Sequence, residues 1–167
     1  MNYPSTDNFF LAIGQDSESA PLQTVFSSLG IGVSSLEKYP MNLKGLRIWS
    51  NLDAGLQLEF KDVGLIKDMP YHDIDEGPWV LERVIFWGQR KKKKPYVGPM
   101  PYGLNFSMPR EAVREAMANS GLGQATVTGS TGGVDVWIDG AVKVAVGYLE
   151  EGGVHSISMG MPVDKKR

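Results

Sequence analysis

The chain has 167 residues and a mass of 18.3 kDa, with 42% hydrophobic and 22% charged residues, which suits one compact domain or two tightly joined modules and excludes intrinsic disorder. A formal net charge of −2 and a pI near 5.7 exclude the broadly basic surface from which a general nucleic-acid binder draws its affinity. Cysteine is absent, which removes disulfides, thiolate metal sites and a cysteine nucleophile.

Residues 1–10 carry neither a basic cluster nor a long apolar run, and no later stretch is long enough to span a bilayer. The expectation is a cytoplasmic protein without a membrane partner. Leu22, Val25, Phe26 and Leu29 have helical spacing, with Ser19 and Pro21 before them and Gly30 and Gly32 after, which predicts a helix over 19–29. Leu46-Arg47-Ile48-Trp49 and Leu56-Gln57-Leu58-Glu59-Phe60 predict two antiparallel strands joined by a turn over 51–55. Residues 70–78 form a polar, acidic, proline-bounded loop. Val80 to Trp87 predicts a strand with Val80, Val84 and Phe86 on one side and Leu81, Arg83, Ile85 and Trp87 on the other.

A run of four lysines, Lys91 to Lys94, leads into a proline- and glycine-rich stretch ending at Gly103, which predicts an extended, exposed linker. Ser107 and Pro109 open a second helix from Arg110 to Ser120, with an apolar stripe of Ala112, Val113, Ala116 and Met117, and Gly121 and Gly123 close it. Thr126 to Gly133 reads as a flexible connection. Val134 to Ile138 alternates as a strand, Asp139-Gly140 signals a hairpin, Ala141 to Tyr148 returns, and Val154 to Met159 is the last strand.

Both halves run through helix, Trp-bearing strand, alternating strand and closing strand. Trp49 and Trp137 lie 88 positions apart, as do Pro21 and Pro109. The pattern predicts an α+β protein of two tandem α-β repeats, each a helix packed on a small antiparallel sheet. The first repeat would span residues 1–90, the basic linker 91–103 and the second repeat 104–167.

Chemical constellations are sparse. The two histidines, His72 and His155, do not share a metal-ligand spacing. His72-Asp73-Ile74-Asp75-Glu76 contains enough ligands for a divalent ion, yet a solvated acidic surface explains it as well, and no metal is expected there. His155 beside Ser156 and Ser158 suggests no Ser/His/Asp grouping, and Gly129-Ser130-Thr131-Gly132-Gly133 lacks the lysine of a phosphate loop. The chain is therefore expected to be neither an enzyme nor a cofactor binder. Tyr71 and Trp79, next to Asp73, Asp75 and Glu76, have the composition of interface anchors inside a charged rim, although burial in the core is the stronger reading for Trp79. The expected partner-binding set is Tyr71, His72, Asp73, Asp75, Glu76 and Trp79. An alternative is a nucleic-acid-binding accessory role through Lys91 to Lys94, with Arg83, Arg90, Tyr96 and Tyr102 in support.

The run Pro101-Tyr102-Gly103-Leu104-Asn105-Phe106-Ser107-Met108-Pro109-Arg110-Glu111-Ala112-Val113 resembles the LPxGLxFxMSRxEV helix start of small bacterial proteins associated with toxin systems. Val136-Trp137-Ile138-Asp139-Gly140 and Ala145-Val146-Gly147-Tyr148 continue the resemblance, and Gly55 to Phe60 with Arg83 to Trp87 are similar to the matching first half. The resemblance covers the chain from about Leu22 onward. It implies a tandem α-β repeat like that of β-lactamase inhibitory protein and the related outer-membrane assembly lipoproteins; the lipoprotein branch needs a signal peptide and a lipidated cysteine, which this sequence does not show. The implied role is that of a cytosolic immunity protein that binds a cognate toxin domain, for example a nuclease, and occludes its active site.

Overall fold

A computed structural model describes residues 2–162, so the last five residues of the second expected repeat lie outside the described residues. Helix α1 (Thr6–Ala12) is capped by Ser5, whose Oγ accepts the Asn8 N–H, and buries Phe9 and Ala12. Its seven residues fell below the length at which periodicity is legible, and the sequence reading omitted it. Helix α2 (Ala20–Leu29) is the one expected: Ser19 caps its start, Pro21 sits in its first turn, and Gly30 ends it at φ 68° with its N–H donated to the Phe26 carbonyl. Helix α3 (Arg110–Asn119) follows Pro109 and buries Val113 and Met117.

The strands are β1 (Glu37–Lys38), β2 (Leu46–Asn51), β3 (Leu56–Asp62), β4 (Trp79–Trp87), β5 (Thr126–Thr128), β6 (Val134–Asp139), β7 (Val142–Tyr148) and β8 (Val154–Gly160). They form one antiparallel sheet in the order β1-β2-β3-β4-β8-β7-β6-β5. The expectation of two small sheets is thereby corrected. The closing strands β4 and β8 pair with each other, Val84 opposite Met159 and Phe86 opposite Ile157, and join the two meanders into a single layer. Strand β5 replaces the first three residues of the expected flexible connection, because Thr-Val-Thr is β-branched throughout and pairs with Val134 to Val136, while 129–133 remains a turn.

A bulge in β4 also corrects the expected alternation. Glu59 faces Arg83, but Phe60 faces Leu81, so Glu82 is the extra residue. Leu81 therefore joins Val84 and Phe86 in the core. The start of β4 is held from outside the sheet as well, since Gly14 donates to the Leu81 carbonyl and Leu81 donates to that of Gln15.

All three helices share one core with the same face of the sheet. Phe9 meets the Phe86 ring edge-on at 5.6 Å, Phe26 lies 5.9 Å from Phe60, and Val113 and Met117 join Trp137, Val144 and Ile157. Burying each such side chain contributes about 1.5–3 kcal/mol, so packing of this layer outweighs the helix propensities. The linker is exposed at Lys91 to Lys94 and again at Val97, Pro99 and Gly103. Tyr96 is buried, donates its N–H to the Trp87 carbonyl at 2.9 Å, and packs against Phe86 and edge-on against Tyr3, so the expectation of an exposed linker is corrected at Tyr96 and at the buried Pro101. An aromatic ring among prolines and glycines found the core.

Candidate functional site

The acidic loop between β3 and β4 is organised by a residue that its composition does not advertise. Strand β3 ends at Asp62, whose side chain is fully buried. Its Oδ1 accepts the Gly64 N–H at 2.7 Å and lies 2.6 Å from Nε2 of His72. Its Oδ2 accepts the N–H groups of Asp75 at 3.1 Å and Gly77 at 2.7 Å. Burial pushes the Asp62 carboxyl up, but the amides of Gly64 and Gly77 and the His72 ring outweigh it and hold the group below the usual carboxylate range. A buried charge left without such partners would be strongly destabilising, so the loop wraps around it.

Two further ties fix the loop. Asp75, at φ 88°, accepts from the Gly45 N–H and from Arg47 Nη1 at 3.0 Å. The Gly45 amide and then the Arg47 guanidinium keep its carboxyl below the ordinary range. The same Arg47 lies 4.2 Å over the Trp79 ring, and the Trp79 N–H donates to Ser17 Oγ at 2.9 Å.

The expected binding residues divide accordingly. Tyr71, Asp73 and Glu76 stand on the surface, and Tyr71 is fully exposed at φ 63°. His72 and Asp75 are partly buried internal struts, and Trp79 is buried in the core. Sequence reasoning missed Asp62 and Arg47, which looked like ordinary members of alternating strands. It also missed the apolar company of Tyr71: Leu65, Ile66 and Met69 in the same loop, with Met41 and Leu43 in the segment before β2, are exposed. The two segments meet at Gly45, where an added Cβ would collide with Leu65 and Ile74. Apolar residues in a loop between two strands were the signal available. Asp68, Asp73 and Glu76 are exposed in the same loop, with Lys67 beside them and Lys44 in the segment before β2, so the exposed apolar residues stand among charged neighbours, three acidic and two basic.

No group of three or more His, Cys, Asp or Glu side chains suited to a metal ion occurs among the described residues. In the 72–76 cluster, His72 and Asp75 are committed to internal bonds. His155 meets the Trp87 ring edge-on at 5.5 Å.

A second buried carboxylate anchors α3. Asp135 on β6 accepts two hydrogen bonds from Arg110, two from Arg114 and one from the Tyr148 hydroxyl, at 2.7 to 3.2 Å. Burial raises its pKa, but Arg114, Arg110 and Tyr148 outweigh that and bring it down to about 2. No family model, no curated protein and no solved structure matches the chain.

Proposed function

We propose that this protein is an immunity protein that binds a cognate bacterial toxin domain in the cytoplasm and occludes its active site with the 63–78 loop and the adjoining 41–45 segment. The observation that carries the reading is that Tyr71, Met69, Leu65 and Met41 stand in solvent on loops whose backbone is pinned from within by Asp62 and Asp75. A monomeric surface rarely gathers apolar side chains without a partner. A loop already rigid loses little entropy on binding. The apolar groups slow dissociation, while Asp68, Asp73 and Glu76 steer association with a basic cleft such as that of a nuclease.

The tandem-repeat reading of the fold belongs to the same proposal. Strands β2 and β6 are each second from an edge of the sheet, and they carry the matched pair Trp49 and Trp137. Arg47 and Asp135, also 88 positions apart, are the buried charged side chains of these two strands. A duplicated unit that kept a charged anchor while inverting its sign accounts for both.

Co-purification with the product of the gene immediately upstream, assayed for toxicity, tests the reading. A one-to-one complex that protects cells from that toxin supports it, and free toxin activity in the presence of excess protein refutes it.

A further inference from the structure

The face of the sheet opposite the helices is half-exposed along most of its length, with Ile85 buried in it, and its residues follow from the register. One row runs Trp87, Ser156, Gly147, Val134, Thr128, and the next runs Gln57, Ile85, Ser158, Ala145, Val136, Thr126. At the Trp87 end stands the basic turn. Arg90 and Lys93 bridge, Lys93 donates to the Arg90 carbonyl, and Gln89 Nε2 donates to the carbonyls of Arg90 and Lys93. Lys92 sits at φ 63°. Five consecutive cations, Arg90 to Lys94, are thus held together in one turn, and none of them forms an ion pair among the described residues. Clustering like charges in a fixed turn costs self-repulsion that an anion removes.

Arg90 supplies a more specific sign. Its guanidinium lies 4.9 Å over the Trp87 ring, and its Nε and Nη2 are shielded from solvent without any hydrogen-bond partner among the described residues. Those two nitrogens form the edge of the guanidinium that grips a carboxylate with two parallel bonds. Leaving them unpaired is costly, and pairing them recovers that cost.

We propose that the Arg90–Lys94 turn, with Trp87 and the adjoining half-exposed sheet rows, is a second binding site, and that it takes an acidic protein segment. A carboxylate draws Arg90 off the Trp87 ring into a two-bond pair, neighbouring carboxylates meet the lysines, and apolar side chains of the segment cover the half-exposed Val134, Val136 and Ala145. Nucleic acid fits less well. Stacking of successive bases needs several free aromatic faces, and Trp87 is the sole aromatic in these rows, with Arg90 laid on its ring. This site stands on observations separate from those at the 63–78 loop.

The test is titration of the full chain with an oligo-glutamate peptide at low ionic strength, read by tryptophan fluorescence and calorimetry. Oligothymidylate serves as the competing probe. Binding with a fluorescence change, weakened about tenfold or more by Arg90→Gln and by joint replacement of Lys91 to Lys94 with glutamine, is expected. The lysines are exposed, so the second variant keeps the fold even if the first does not. Absence of peptide binding, equal binding by the lysine variant, or tighter binding of oligothymidylate than of oligo-glutamate would overturn the proposal.

Discussion

The Asp62 carboxylate stands 2.6 Å from Nε2 of His72, and this buried contact sets the shape of a loop whose outermost residue, Tyr71, is next in sequence to His72. Four bonds converge on Asp62, and three come from backbone amides. Asp62→Ala leaves the Gly64, Asp75 and Gly77 amides and the His72 ring without their acceptor. The expected cost is about 2–4 kcal/mol, measured by urea unfolding, with faster limited proteolysis inside 63–78. Unchanged stability and protease resistance would show that the loop is held by other means.

Acid sensitivity follows from Asp62 and Asp135 together. Both carboxyls are held below their unfolded values, so each stabilises the fold fully at pH above the unfolded value of about 3.9. That stabilisation is lost as pH falls toward the folded value, about 2 for Asp135. The urea midpoint is expected to drop steeply from pH 4 downward. Asp135→Asn starts from lower stability at pH 7 and loses less on acidification, and parallel curves for wild type and variant would contradict this.

One sheet implies one unfolding unit. Ile157 on β8 faces Phe86 on β4, and both are fully buried. Ile157→Ala is expected to cost about 2–5 kcal/mol while leaving a single transition in which tryptophan fluorescence and far-UV circular dichroism coincide. Separate transitions for the two halves would mean that the β4–β8 seam is weak.

Gly55 sits at φ 65°, and an added Cβ would strike the backbone nitrogen of Tyr96. Gly55→Ala is therefore expected to cost more than about 1 kcal/mol, visible as a lowered melting temperature. A neutral result would show that the Tyr96 segment yields easily.

Local chemistry was legible in the sequence and long-range pairing was not. Helix α2 was marked by Ser19, Pro21 and Gly30, and the β6–β7 hairpin by Asp139-Gly140, because caps and tight turns act through neighbours. The union of β4 with β8 rests on contacts such as Phe86 with Ile157, which no local pattern encodes. The exposed residues Tyr71, Asp73 and Glu76 could be picked out by composition, since aromatic and acidic residues in one loop suggest a partner. Their support could not: Asp62 and Arg47 are charged residues on strands, and only the fold shows that they are buried.

Charge reversal across the loop has to spare Asp75, which is bonded to Gly45 and Arg47. The most direct measurement is the affinity of wild type and of the Tyr71→Ala, Asp73→Lys, Glu76→Lys variant for the product of the gene immediately upstream, by calorimetry, with thermal melting as the folding control. Tight binding by wild type, weakened about a hundredfold or more in a variant of unchanged melting temperature, is the predicted result. Equal affinity of the two proteins, or no binding by wild type, would contradict the account.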